Sequence, residues 1–147
     1  MTDEASLRRP GDKLVLVIDD DDSVRELLEY ILAEEGFKFD AACDGEAGLS
    51  KVRKLLPDLV ILDLMLPRRN GFEVLREMQA GETARIPVIV ITGRYADRTT
   101  AEMMRQESKV VGFIEKPIKT QALGMSLHNM LKTTPPGPKG GKDPWRK

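Results

Sequence analysis

The 147-residue chain is poor in the residue types that build most redox and transition-metal centres. Its one cysteine, Cys43, excludes an intramolecular disulfide and any multi-cysteine zinc or iron–sulfur site. A single histidine, His128, excludes a histidine-rich metal centre as well. Aromatic residues make up 5% of the chain, so the core must be mainly aliphatic. No apolar run approaches the roughly 18–20 residues of a transmembrane helix. The start, Met1-Thr2-Asp3-Glu4, lacks the basic-then-apolar order of a secretory signal. These absences lead to the expectation of a cytoplasmic, reducing location with no membrane partner. An excess of charge is also missing: 23 basic residues face 24 acidic ones, a net −1. That balance gives no general drive toward polyanions, so no direct nucleic-acid binding is expected of the domain. What remains, 41% apolar and 32% charged residues, is an ordinary globular composition of a length suited to one domain.

The chain divides into a body and two ends. Residues 1–12 are polar and include Pro10-Gly11, which reads as a flexible N-terminal segment. Residues 133–147, TTPPGPKGGKDPWRK, hold too much proline and glycine for a helix or a ladder and read as a flexible tail. Four basic residues against Asp143 give that tail a charge of +3 and leave −4 on the rest. Between the ends, two periods alternate. Continuous aliphatic runs at 14–18, 59–62, 87–91 and 110–114, with a shorter run at 37–42, read as five strands, most of them buried on both faces. Val24, Leu27, Leu28, Ile31 and Leu32 form a helical stripe stopped by Gly36. A second stripe covers 46–56, with Leu55 and Leu56 on its buried side. A short helix follows Gly71 and carries Phe72, Val74, Leu75 and Met78, and a last one carries Leu123, Leu127, Met130 and Leu131. The segment 97–109 has a thin apolar stripe and reads as the least firmly packed helix. Strands alternating with helices give an α/β fold with a parallel sheet covered on both sides by right-handed crossovers.

The polar residues fall at the strand ends. The first strand runs into Asp19-Asp20-Asp21-Asp22, the third into Asp63, the fourth into Thr92 and the fifth into Glu115-Lys116. In a parallel sheet all of these are carboxyl ends on one edge, where open α/β sheets bind ligands. Clustered carboxylates at neutral pH need a cation or protons. Oxygen ligands without histidine or thiolate suit a hard cation, and so small a site suits Mg²⁺. A lone lysine and a hydroxyl can hold phosphoryl oxygens, and a carboxylate can itself be the nucleophile. The residue types therefore point to metal-assisted phosphoryl transfer onto an aspartate.

The segments Val17-Ile18-Asp19-Asp20-Asp21, Leu59 to Pro67 with Asn70-Gly71, Pro87 to Gly93 and Phe113-Ile114-Glu115-Lys116-Pro117 resemble, in order and spacing, the receiver domain of bacterial two-component response regulators. The resemblance spans residues 13–132 and is similar to stand-alone chemotaxis-type regulators. It implies a flavodoxin-like, doubly wound sheet of strand order 2-1-3-4-5. It implies that Asp63 is the phosphoacceptor, and that Asp19, Asp20, Asp63 and the backbone carbonyl of Met65 hold Mg²⁺. Thr92 and Lys116 match the hydroxyl and the lysine that pair with the phosphoryl group. Phe113 matches an aromatic switch position that carries the change to a partner surface. Pro117 and Gly71 match structural positions, Pro117 following a peptide bond that is often cis in the family. The implied partners are a sensor histidine kinase or phosphotransfer protein and a downstream protein target. A homodimer through the helix between strands four and five, strand five and the last helix also belongs to what the resemblance implies. Gly93 stands where alanine is usual, Arg105 to Lys109 replace a usual Gly-Ala helix ending, and Arg68-Arg69 are more basic than typical, which bears on phosphoryl lifetime or kinase choice.

Other residues have plainer readings. Asp22 or Ser23 caps the first helix, Cys43 is an inert residue near the end of strand two, and His128 is a face residue of the last helix. A phosphorylation-independent interaction module of the same fold is the alternative function. A metabolic enzyme is not expected: there is no Gly-x-x-x-x-Gly-Lys-Ser/Thr loop, and Asp63-Leu64-Met65 lacks the second aspartate of haloacid-dehalogenase-type phosphotransferases. The 147 residues hold no output domain of their own, and the expectation is either a stand-alone receiver or a fragment of a longer regulator.

Overall fold

The computed structural model describes residues 9–66, 68, 70–93, 102 and 106–136. Strands β1 (Leu14–Ile18), β2 (Lys38–Ala42), β3 (Leu59–Asp63), β4 (Val88–Thr92) and β5 (Val110–Glu115) form one parallel sheet in the order β2-β1-β3-β4-β5. Helices α1 (Asp22–Glu34), α2 (Gly45–Leu55), α3 (Gly71–Glu77) and α4 (Thr120–Leu131) connect and cover it. Side chains alternate along each strand, so each central strand feeds two cores. Leu16, Ile18, Val60 and Leu62 meet Leu49 and Val52 of α2 and Val74 and Leu75 of α3. Val15, Val17, Leu59 and Ile61 meet Leu28, Ile31 and Leu32 of α1 and Leu123 and Leu127 of α4. The continuous aliphatic runs are the direct consequence, because no strand in the middle of the sheet has a wet face.

The first three helices begin on a polar cap, whereas α4 starts after Lys119 with no side-chain cap. Asp21, not Asp22 or Ser23, caps α1 by accepting from the amides of Ser23 and Val24. It can do so because Asp21 sits in extended backbone one residue before the first turn. Asp44 accepts from Ala47 N–H at the start of α2, and Asn70 with Glu73 forms a reciprocal capping box at α3. Gly36, at φ +87°, turns the chain out of α1 toward β2. Pro10 lies against that turn, and Pro10–Asp12 form a 3₁₀ turn where a flexible segment was expected. A second 3₁₀ turn, Gly81–Arg85, had no signal in the apolar pattern.

Two further expectations change. Leu55 and Leu56 are exposed rather than buried: α2 ends there, and Leu56 turns left-handed as its cap. His128 is buried at 4% exposure instead of lying on a wet face. Its Nε2 lies 2.7 Å from Glu35 Oε1, its Nδ1 lies 2.7 Å from Thr133 Oγ1, and its ring stacks on Phe37 at 4.8 Å. The cluster ties the end of α1 to α4 and takes Thr133, placed in the tail by the sequence, into the packed structure. Most of the helix expected within 97–109 (residues 97–101 and 103–105), the tail from 137 onward, Pro67 and Arg69 lie outside the described residues. Among the described residues, no helix is long and apolar enough to cross a membrane.

Gly71 positions α3 on the end of β3. A Cβ there would stand 2.6 Å from Leu64 Cα and 2.8 Å from the Asp63 carbonyl oxygen, both backbone atoms. Gly71→Ala is therefore expected to destabilise the fold by about 1–3 kcal/mol despite alanine's better helix propensity. Urea unfolding with an unchanged slope and an unchanged midpoint would show that the backbone gives way freely.

Candidate functional site

Strand register brings the polar ends together. Ile18 pairs with Leu62, so the next residues, Asp19 and Asp63, stand side by side beyond the ladder. Both continue the alternation of Val15–Val17 and Leu59–Ile61 and so share the face of α1 and α4. Asp63 pairs with Ile91, Ile91 with Ile114, and Lys116 follows two residues later on that same face. The result is a compact charged cluster. Carboxylate oxygens of Asp19, Asp20 and Asp63 all lie within 4.8 Å of one another. Asp19 is fully buried, Asp63 nearly so, and Asp20 is exposed.

The two buried aspartates are held alike. Asp19 Oδ1 accepts from Asp21 N–H at 2.9 Å, and Asp63 Oδ1 accepts from Met65 N–H at 3.0 Å. Both Oδ2 atoms turn to one ammonium, with Lys116 Nζ 3.6 Å from that of Asp19 and 3.4 Å from that of Asp63. Asp19 Oδ2 is buried and accepts no hydrogen bond. An oxygen in that condition is expensive unless a cation or a proton meets it. Three carboxylates with one such orphaned oxygen, all hard oxygen donors, fit a divalent cation of the Mg²⁺ or Ca²⁺ type.

The electrostatics follow from the crowding. Burial chiefly, with the Asp63 charge adding to it, pushes the Asp19 carboxyl up to about 6, against the hydrogen bond from Asp21 and the Lys116 charge. Burial alone would depress the Lys116 ammonium, but the charges of Asp63 and Asp19 outweigh it and the net shift is upward. Asp21 is lowered by its hydrogen bonds from Ser23, as befits a cap.

Of the residues expected at the site, Asp19, Asp20, Asp63 and Lys116 come together. Met65 contributes its amide to Asp63, and its side chain is exposed. The Lys116–Pro117 peptide is cis. Phe113 is half-buried beside the Val88–Val90 side of the core. Thr92 ends β4 opposite Glu115, and its side chain lies outside what the structure describes. The sequence reading passed over Arg25 and the Arg68–Asp44 ion pair, 3.6 Å across, which joins the loop after β3 to the cap of α2. Only the sheet order shows that these two loops flank the β1 end.

Comparisons with known proteins agree with the geometry. A family model described as the response regulator receiver domain matches residues 15–128. The transcriptional regulatory protein AfsQ1 of Streptomyces coelicolor is 35% identical over 118 residues, covering 80% of this chain and 51% of that protein. The DNA-binding response regulator MtrA of Mycobacterium tuberculosis is 37% identical over 118 residues, covering 80% and 50%. The chain thus spans about half the length of these curated relatives. Among solved structures, a CheY-like receiver domain protein of Methanospirillum hungatei aligns with TM-score 0.73 and 25% identity over 81% of this chain and 93% of that one. NtrX of Brucella abortus aligns with TM-score 0.71 and 30% identity over 81% of this chain and 26% of its own.

The raised Asp19 carboxyl has a consequence for stability. The folded chain holds that proton to about pH 6, whereas the unfolded chain releases it near 3.8. Between those values the folded form binds more protons, so stability contributed by the protonated group falls as pH rises. In chelator at neutral pH, Asp19→Asn should be more stable than the parent by on the order of 1–3 kcal/mol, with the gap closing below about pH 4. Denaturant midpoints measured across that range test it, and equal stability at neutral pH would contradict the strained-cluster reading.

Proposed function

The chain belongs to the response regulator receiver family, and on that premise we propose that it accepts a phosphoryl group on Asp63 from a histidine kinase or a phosphotransfer protein. A receiver domain is a signalling module of two-component systems rather than a metabolic enzyme. The observation that carries the proposal is the meeting of three carboxylates and one ammonium at the carboxyl edge of the sheet.

In the transfer, an oxygen of Asp63 bonds to phosphorus as the phosphorus–nitrogen bond of the donor's phosphohistidine breaks. The departing imidazole takes up a proton. Asp19, Asp20, Asp63 and the Met65 carbonyl would hold Mg²⁺. When bound, the ion supplies positive charge to the carboxylates and to the transferring oxygens. The Asp63 carboxylate is oriented by Met65 N–H, which keeps the second oxygen on the Lys116 side. Lys116 is charged and within reach, so it can pair with a phosphoryl oxygen on Asp63 while Asp19 competes for it. Thr92, ending the strand between β3 and β5, is assigned the hydroxyl that follows the phosphoryl group. Phe113, two residues before Glu115, is assigned the aromatic switch.

The output is control of a partner by phosphorylation, in the cytoplasm. Several relatives are named as DNA-binding regulators, which makes transcription the output class proposed for a whole protein of this kind. Pairing of two copies through β5 and α4 is proposed as one way the change is read.

Acetyl phosphate tests the assignment without knowledge of the kinase. With Mg²⁺, the chain should gain one phosphoryl mass in intact-protein mass spectrometry, and Asp63→Asn or a chelator should abolish the gain. Lys116→Ala should keep at least part of the uptake while losing the amide-shift response around Phe113. Equal single-site labelling of Asp63→Asn would move the acceptor elsewhere. Absence of both labelling and any beryllofluoride-induced shift near Thr92 and Phe113 would favour a phosphorylation-independent module.

A further inference from the structure

Arg25 occupies a position that helix electrostatics disfavours. It is the fourth residue of α1, in the first turn after the Asp21 cap, where the partial positive charge of the amide ends repels cations. The side chain does not escape into water; it is about four-fifths buried. Its guanidinium folds back over the loop that carries the acidic residues. Nη1 donates to the Asp19 backbone carbonyl at 2.8 Å, and Nη2 pairs with the Asp22 carboxylate. Asp22 is mostly exposed, so the pair is anchored from the solvent side and the buried end is the contact to Asp19.

The carbonyl held by Arg25 belongs to the peptide bond that joins Asp19 to Asp20. A peptide unit is planar, so fixing that oxygen fixes the plane carrying both Cα atoms. The peptide units on either side are held as well: Asp19 N–H, in the unit before it, donates to the Ala42 carbonyl at 3.1 Å, and Asp21 N–H, in the unit after it, donates to Asp19 Oδ1. Asp20 is the exposed member of the cluster, and its place is set by the backbone on either side of it. A fork with two parallel donors does this better than a single ammonium, since it spans carbonyl and carboxylate at once.

We infer that Arg25 is a positioning residue for cation binding: by clamping the Asp19–Asp20 peptide it places the Asp20 carboxylate among the other two before a divalent cation arrives. This rests on the reading of the cluster as a cation site. Charge and geometry make opposite predictions, which gives the idea its test. If Arg25 acted only through its charge, it would repel a cation, and its removal would tighten binding. If it acts by positioning, its removal loosens binding, in the manner of other groups that orient metal ligands.

Mg²⁺ alone is the probe, titrated without any phosphodonor and followed by calorimetry and by the backbone amide signals of Asp20 and Asp21. Arg25→Met, which keeps the stem and loses both donors, should weaken Mg²⁺ binding about tenfold. Arg25→Lys should recover part of that loss and stands in if the methionine variant fails to fold. In an Asp20→Ala background, Arg25→Met should change the affinity by less than about twofold, because the residue acts through Asp20. Unchanged or tighter binding by Arg25→Met, or an equal tenfold loss in the Asp20→Ala background, overturns the inference while the cation site stands. A parent chain that binds no Mg²⁺ at millimolar concentration overturns the site reading and this inference with it.

Discussion

Two carboxylates are forced side by side at the carboxyl ends of the adjacent inner strands β1 and β3. The β1–β3 register that pairs Val17 with Ile61 and Ile18 with Leu62 leaves Asp19 and Asp63 no alternative. Slipping one strand by a residue would send one of them to the opposite face and expose an entire aliphatic row, because side-chain direction alternates with a period of two. Packing of Val15, Val17, Leu59 and Ile61 under α1 and α4 therefore holds together what charge would separate. The energy stored in the site is drawn from the core beneath it.

The cluster is arranged to spend its favourable contacts on one oxygen of each pair. Asp19 and Asp63 each satisfy Oδ1 with an amide two residues ahead, a local turn that any aspartate at a strand end can make. Their Oδ2 atoms share a single ammonium at distances of 3.6 and 3.4 Å, longer than a good charge-assisted hydrogen bond. Lys116 thus balances the cluster without saturating it. Neutralising only part of the charge leaves the pair responsive to an arriving cation or anion, whereas a close bidentate arginine at the same place would compete with both.

Much of this was readable from the chain. Aliphatic runs announced the strands, and the coincidence of polar termini announced the edge. Strand order came from family resemblance, because adjacency of β1 to β3 is a property of crossovers that periodicity does not encode. What the pattern missed was tertiary. His128 sits four residues after Gly124 and three before Leu131, so the helical period did place it toward the core, but its partner Glu35 lies 93 positions away in sequence. Lys109 was read as part of a poor helix end. It donates instead to the carbonyls of Thr83, Ala84 and Ile86, closing a 3₁₀ turn that has no apolar signature. Arg25 was invisible for a similar reason. A first-turn cation attracts notice only once its carbonyl partner is known.

These contacts are spread unevenly, and the unevenness bears on how a signal would travel. β1 and β3 are paired on both sides, and α1 is fixed at its start by Arg25 and at its end by the Glu35–His128 contact. Among the described residues β5 pairs with β4 alone, and its register shifts between the Val88 and Ile89 pairs, leaving Val111 exposed at the irregularity. Lys116 lies just past the end of that edge strand. On the proposed reading, new negative charge on Asp63 would draw the ammonium away from Asp19, and whatever the flexible lysine stem does not absorb falls on the strands bearing the charges. β3 has a neighbour on both sides and β5 is a bulged edge strand, so on the proposed reading the route from Lys116 to Phe113 runs through the strand with fewer pairings to break.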